Sequence, residues 1–228
     1  MPRPQRLIDS VETAEGRLEL RQRGEADFMI LIGGRVLMTS YITRSELFLA
    51  EEGCALVRQR SAPRVLIGGL GLGFTLRAAL DALPPQAHVV VAELNPRVIA
   101  WCQGPVAQAN AGAALDSRVQ FFAGDVTSHI AQVANENDAP RYDAILWDLY
   151  VGPTRAGGEQ DALYGDRSVQ LTARALSQHG VFGVWGETPS PAFETRLKRH
   201  GLLPTCHRVG HGGLKHAVYL AQKAAPRL

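Results

Sequence analysis

At 228 residues, with 46% hydrophobic and 20% charged side chains, the chain is long enough to bury a full α/β core and has the balance of an ordinary globular protein. A formal net charge of +2 is too close to zero to argue for nucleic acid or an anionic membrane as partner. No apolar run reaches the roughly 18 residues of a membrane span, and Met1-Pro2-Arg3-Pro4-Gln5-Arg6 lacks the apolar core of a signal peptide, so the expected location is cytoplasmic. Cys54, Cys102 and Cys206 are an odd number at wide separations, which fits neither a disulfide scaffold nor a zinc site; all three are expected reduced and buried.

Residues 1–8 are rich in Pro and Arg and are expected to be loosely held. Leu18-Glu19-Leu20-Arg21 alternates, Phe28 to Ile32 is a compact apolar run, Gly33-Gly34 signals a two-residue turn, and Val36-Leu37-Met38-Thr39 resumes strand character. These predict a β-hairpin with one preceding strand. Thr43-Arg44-Ser45-Glu46 has the form of a capping box, and Leu47, Phe48, Leu49, Leu56 and Val57 line one side of the helix it would open.

From Arg64 the pattern alternates between strand and helix, the signature of a parallel sheet covered on both faces. Val65-Leu66-Ile67 feeds a glycine cluster, with Gly69, Gly71 and Gly73 spaced as GxGxG, and then a helical pattern from Phe74 to Leu83. His88-Val89-Val90-Val91-Ala92 is a second strand ending at Glu93, and Asn95-Pro96 opens a helix carrying Val98, Ile99 and Trp101. Val119 to Ala123 is a third strand ending at Gly124-Asp125, Ile130 to Val133 belongs to a helix, and Tyr142 to Trp147 is a fourth strand that stops at Asp148. Gly152 to Gly158 reads as a mobile loop. A helix at Ser168 to Leu176, a strand at Gly180 to Trp185 and a helix through Phe193 and Leu197 follow. Thr205 to Val209 and His216 to Leu220, separated by Gly210-His211-Gly212-Gly213, make a closing antiparallel hairpin. The fold expected is α/β, a doubly wound, mostly parallel, seven-stranded Rossmann-like sheet, with 1–60 as an N-terminal β region plus connecting helix and 61–228 as the ligand-binding α/β domain.

Four strand ends carry marked residues: the glycine turn, Glu93, Asp125 and Asp148. In an open α/β sheet, ligands bind beyond the carboxyl ends of the strands where strand order reverses, so these positions are expected to converge on a nucleoside cofactor. Glycines let the backbone turn sharply and approach a ligand, and an acid about twenty residues later suits ribose hydroxyls.

The order GxGxG, acid, Gly-Asp and Asp-bearing strand end resembles class I S-adenosylmethionine-dependent methyltransferases. More narrowly, residues 10–222 resemble the spermidine synthase family. The likeness rests on the N-terminal hairpin, Ile67-Gly68-Gly69, Arg77, Asp116-Ser117-Arg118-Val119 leading to Gly124-Asp125, Tyr142-Asp143-Ala144-Ile145 leading to Asp148, and Val151-Gly152-Pro153. That resemblance implies that Gly69, Gly71 and Gly73 cradle S-adenosylmethionine or its decarboxylated form, that Glu93 holds the ribose hydroxyls, that Asp125 accepts a bond from the adenine amino group, and that Asp148 lies near the sulfonium and the acceptor. Asp148 and Tyr150 are the catalytic candidates, a carboxylate suiting the deprotonation of an amine acceptor and a phenol its orientation.

Aminopropyltransferases of that family carry an Asp within the glycine turn, where this chain has Gly69-Leu70-Gly71-Leu72-Gly73, and two aspartates before Val-Gly-Pro, where it has Asp148-Leu149-Tyr150. Their Asp-Glu-x-x-Tyr-His-Glu stretch corresponds to Ser45-Glu46-Leu47-Phe48-Leu49-Ala50-Glu51, without the Tyr and His. The expectation is therefore methyl transfer to a small-molecule acceptor. Aminopropyl transfer in polyamine synthesis is the alternative, and a non-catalytic nucleoside-binding scaffold the further one. A homodimer fits the resemblance and the exposed edges of an N-terminal β region.

Other marked residues have plainer readings. Asp143 suits a turn before its strand. Trp147 and Trp185 serve either the core or a pocket wall, and Glu187 either the acceptor or the surface. The late histidines match no standard ligand spacing, so no metal is expected, and Arg196, Lys198, Arg199, Arg208 and Lys215 read as a solvated face rather than an RNA guide.

Overall fold

The computed structural model describes residues 5–155, 158–211 and 214–225. Strands β1 (Gln5–Thr13), β2 (Gly16–Arg23), β3 (Asp27–Ile32) and β4 (Arg35–Thr39) form an antiparallel sheet in chain order. The sequence predicts only the last three. β1 carries few apolar residues, is half-exposed, and is held by its ladder to β2 from Gln5↔Arg23 to Thr13↔Gly16. An edge strand of this kind leaves no hydrophobic run to read.

Helix α1 (Arg44–Ala55) follows, and its start departs from expectation. Thr43 makes no side-chain capping bond, and Glu46 is turned inward, where its Oε2 accepts from Ser45 Oγ at 2.6 Å. The capping box is absent because the carboxylate has a different partner.

The remaining elements are β5 (Arg64–Gly68), α2 (Phe74–Ala82), β6 (His88–Glu93), α3 (Pro96–Gln103), β7 (Val119–Ala123), α4 (Val126–Asn135), β8 (Tyr142–Trp147), α5 (Asp166–Ala175), β9 (Leu176–Gly186), α6 (Pro191–Arg199), β10 (Leu202–His211) and β11 (Leu214–Lys223). Seven of them form a sheet in the order β10-β11-β9-β8-β5-β6-β7, parallel from β9 to β7, with β11 and β10 antiparallel. This is the doubly wound, mostly parallel sheet that the alternation predicts. Leu176 opens β9 rather than ending α5, and Gly212-Gly213 of the closing hairpin lie outside the described residues, as do Ala156-Gly157 of the loop after β8.

Alternate strand residues feed opposite faces, as the two-residue period requires. Val65, Ile67, Val89, Val91, Ala144 and Leu146 pack with α1, α2 and α3. Leu66, Val90, Ala92, Ile145 and Trp147 pack with α4, α5 and α6. Helix starts are fixed by caps worth about 1 kcal/mol each: Asn95 accepts from Arg97 N, Asp125 from Ser128 N and Ser190 from Phe193 N. The N-terminal sheet shares the first core, since Leu18, Leu20, Phe28, Ile30 and Ile32 belong to the same buried cluster as Leu70 and Leu72. Among the described residues no helix is long and apolar enough to cross a membrane.

Candidate functional site

Strand order reverses between β6 and β8, the two neighbours of β5, so the carboxyl end of β5 is the switch point. The glycine turn occupies it. Gly69, Gly71 and Gly73 have φ of 84°, 53° and 83°, the left-handed region that glycine enters without strain. A Cβ on Gly69 would lie 2.5 Å from the Asp148 carbonyl oxygen, and one on Gly71 would lie 2.6 Å from Met38 Sδ. The turn is thus pressed between the end of β8 and strand β4 of the N-terminal sheet, with Leu72 N donating to Met38 Sδ at 3.3 Å. Leu70 and Leu72, where the resemblance implies an acid, are buried in the core.

Glu93 ends β6 beside this turn. Its Oε2 accepts from Leu70 N and its Oε1 from Asn95 N, both at 2.9 Å. Burial raises its titration and the backbone bonds oppose that rise. A carboxylate has about four acceptor positions, so beside the backbone bonds from Leu70, Asn95 and Leu94 one remains for a ligand hydroxyl.

Asp148 follows β8, with its N–H donating to Gly68 O. Its Oδ2 accepts from Thr75 Oγ1 of α2 at 2.5 Å. Burial, and after it the Glu46 charge, push its titration up to about 7 against the Thr75 bond. A carboxyl titrating there is poised to take or give a proton near neutrality. Asp125 differs: burial would raise it, yet bonds from Thr127 and Ser128 hold it below the usual range. The described bonds all fall on Oδ2. Beside it a cavity of about 240 Å³ opens toward Gln160, Asp161 and Leu171.

Tyr150 is exposed, and its hydroxyl donates to the Glu15 carboxylate at the β1–β2 turn. Burial and then Glu15 push it up to about 12. The phenol therefore ties the segment after β8 to the N-terminal sheet instead of standing free. Glu187, left open by sequence, accepts from Gly152 N at 3.1 Å and so anchors Val151-Gly152-Pro153 to the end of β9. Trp147 is core, edge-on to Tyr164 and Phe182, whereas half-buried Trp185 lies on the α1 side. Asp143 accepts from Arg60, Arg64 N and Ser177 at the opposite end of the strands, a structural clasp. Of the basic residues, Arg196 is buried and donates to Tyr164 O, and Arg199 pairs with Asp166. Cys54 and Cys102 are buried, but Cys206 is only half-buried because β10 is the sheet's edge.

Sequence reasoning missed Glu46 as a site residue. Its spacing read as a cap, while its carboxylate is bonded by neighbouring Ser45, whose own further partner His216 lies 171 residues along the chain. Alignment with the Asp-Glu stretch was the one signal pointing to it.

No family model matches the chain. Two curated relatives are polyamine aminopropyltransferases. That of Clostridium tetani (strain Massachusetts / E88) is 27% identical over 126 residues, 55% of this chain and 41% of the relative. That of Sodalis glossinidius (strain morsitans) is 26% identical over 179 residues, 75% of this chain and 59% of the relative. The chain thus spans about half the length of the curated relatives it matches. A spermidine synthase solved in complex with the transition-state analogue AdoDATO superposes with a TM-score of 0.75 at 19% identity, covering 96% of this chain and 73% of that one. The chain has a spermidine synthase fold. The spermidine synthase from Thermotoga maritima gives a TM-score of 0.76 at 17% identity with the same coverage. Within that fold, the glycine turn, Glu93 and Asp148 meet at the switch point, and Asp125 caps α4 at the next strand end.

Proposed function

We propose that the chain is a transferase that moves an alkyl group from an S-adenosyl sulfonium compound to an amine. Aminopropyl transfer from decarboxylated S-adenosylmethionine is the form best supported, because both curated relatives are polyamine aminopropyltransferases. The observation that carries the reading is the placement of Asp148, held by Thr75 of α2 at the end of β8 against the glycine turn, where burial pushes its carboxyl up. When bound, the cofactor supplies a carbon activated by S⁺. The residues present fit it: Glu93 has an acceptor position left for a ribose hydroxyl, and Asp125, whose described side-chain bonds fall on Oδ2, is a carboxylate suited to an amino group. Asp148 attracts the ammonium form of the acceptor and takes its proton, Thr75 fixes the carboxylate, and Glu187 sets the loop beside it.

Methyl transfer from S-adenosylmethionine, the expectation drawn from sequence, stands second. It is favoured by Leu70 and Leu72, which leave the turn without a carboxylate for the amine of the decarboxylated cofactor.

Calorimetric titration with both sulfonium compounds and their thioether products tests the reading, with Glu93→Ala as control and a thermal melt to confirm its folding. Tighter binding of the decarboxylated pair, lost in the variant, is the expected result. Preference for the carboxylated pair moves the reading to methyl transfer, and no binding of any of the four leaves a scaffold.

A further inference from the structure

Ser45, buried on α1, joins three other side chains on the side of the sheet where the Glu46 charge acts on Asp148. Its Oγ lies 2.6 Å from Glu46 Oε2, 2.9 Å from His216 Nδ1 and 3.2 Å from Trp185 Nε1. One turn further along α1, Leu49 reaches the same point as Leu146, the position a Cβ on Gly183 would occupy. Trp185 stands two residues beyond Gly183 within β9, so strand alternation places it on this same face, and Asp148, just past the end of β8, turns to that side to accept from Thr75 of α2.

The Ser45 hydroxyl has one hydrogen and two lone pairs. An indole N–H only donates, and an ionised Glu46 only accepts. With Ser45 donating to Glu46, His216 must donate through Nδ1, which leaves Nε2 as its lone-pair nitrogen. With a proton on Glu46 and the ring hydrogen on Nε2 the bonds run the other way: Glu46 donates to Ser45, and Ser45 donates to Nδ1. Moving the Glu46 proton to Ser45 Oγ, and Ser45's own hydrogen to Nδ1, leaves a carboxylate at one end and an imidazolium at the other. Ser45 and Glu46 are buried while His216 is half-exposed, so this path leads outward. The other titratable groups near it are Asp148 after β8, exposed Lys215 on β11, and His207 of β10, which lies two residues from the Val209 paired with His216 and packs on Phe48.

We propose that Glu46, Ser45 and His216 form a proton relay that carries the proton given up by an amine acceptor at Asp148 out to solvent. This rests on the amine-transferase reading of the site. The acceptor ammonium loses its proton to the Asp148–Glu46 carboxylates, the proton passes through Ser45 to Nδ1 of a ring whose own hydrogen is on Nε2, the imidazolium gives the Nε2 hydrogen to water, and tautomer exchange of the half-exposed ring with water returns its remaining hydrogen from Nδ1 to Nε2 for the next cycle. Ser45 and His216 act through the carboxylates and are positioning residues.

Two arms test it. In protein without cofactor, ¹⁵N-histidine spectra of wild type are expected to show His216 protonated at Nδ1 when Glu46 is ionised, and Ser45→Ala to change that tautomer; identical His216 signals in both proteins would overturn the relay. In transfer assays with 1,4-diaminobutane, His216→Gln, which keeps a hydrogen-bonding side chain, is expected to lower kcat by about 10²-fold with KM unchanged. Imidazole in solution should restore turnover to His216→Ala. A KM-only effect, or no rescue, would contradict the relay. If wild type transfers nothing, the transferase reading fails by itself, and the spectra still decide whether Ser45 couples the two groups.

Discussion

Burial pushes the Asp148 carboxyl from its ordinary 3.8 up to about 7 in the folded chain, and that shift bears on folding as well as chemistry. A carboxyl raised in this way favours the folded state when protonated, so its contribution is fully present below pH 3.8 and is lost as pH rises through about 7. Asp148→Asn, which can still accept from Thr75, is expected to raise the melting temperature at pH 8 and to bring little gain at pH 4. Equal gains at both would contradict the assignment. The neighbours move the titration in opposite directions: Thr75→Val removes a bond that lowers it, and Glu46→Gln removes a charge that raises it. The acid limb of the pH–rate profile should therefore shift up in the first variant and down in the second. The glycines offer a stability test at the same scale. Gly69→Ala meets a backbone oxygen at 2.5 Å and Gly71→Ala the flexible end of Met38 at 2.6 Å. Both carry left-handed strain of roughly 1–3 kcal/mol, and urea denaturation should find Gly69→Ala the more destabilised because a backbone carbonyl cannot swing aside.

Between elements, the segment after β8 is held from two sides, by Tyr150 on Glu15 and by Gly152 on Glu187. The Glu15 contact is exposed, and its coupling should be modest, about 1 kcal/mol or less in a double-mutant cycle of Tyr150→Phe with Glu15→Gln. A larger effect is expected on amide exchange at Leu149 to Val151, which should quicken in either variant. The parallel strands were legible because strands buried on both faces read as short apolar runs closed by turn residues, and Glu93, Asp125 and Asp148 were legible because those runs stop at them. β1 was not, since its few apolar residues leave its place to pairing with β2. Nor was Glu46, whose spacing satisfies a capping box on paper and whose bonded neighbour Ser45 takes its other partners from β9 and β11. Local rules reach about one helical turn, and contacts made by the sheet's crossovers lie beyond them.

At the level of the whole molecule, the division at residue 60 marks architecture rather than separate stability, we propose, because the N-terminal sheet and the α/β sheet share one buried cluster and Met38 closes on the glycine turn. Calorimetry should show a single unfolding transition with equal calorimetric and van't Hoff enthalpies; two transitions would separate the units. The same closure shapes the site, which lies where the two sheets meet and draws on α1, α2, β6 and β8. Alkyl transfer to an amine is the function we propose for that site. Its most direct test is mass spectrometry of 1,4-diaminobutane and of a primary monoamine incubated with the protein and each sulfonium donor, beside Asp148→Asn. Gain of one aminopropyl unit from the decarboxylated donor, slowed about 10²- to 10⁴-fold in the variant, is the predicted result. Unmodified amines with both donors, from protein that binds them, would contradict it.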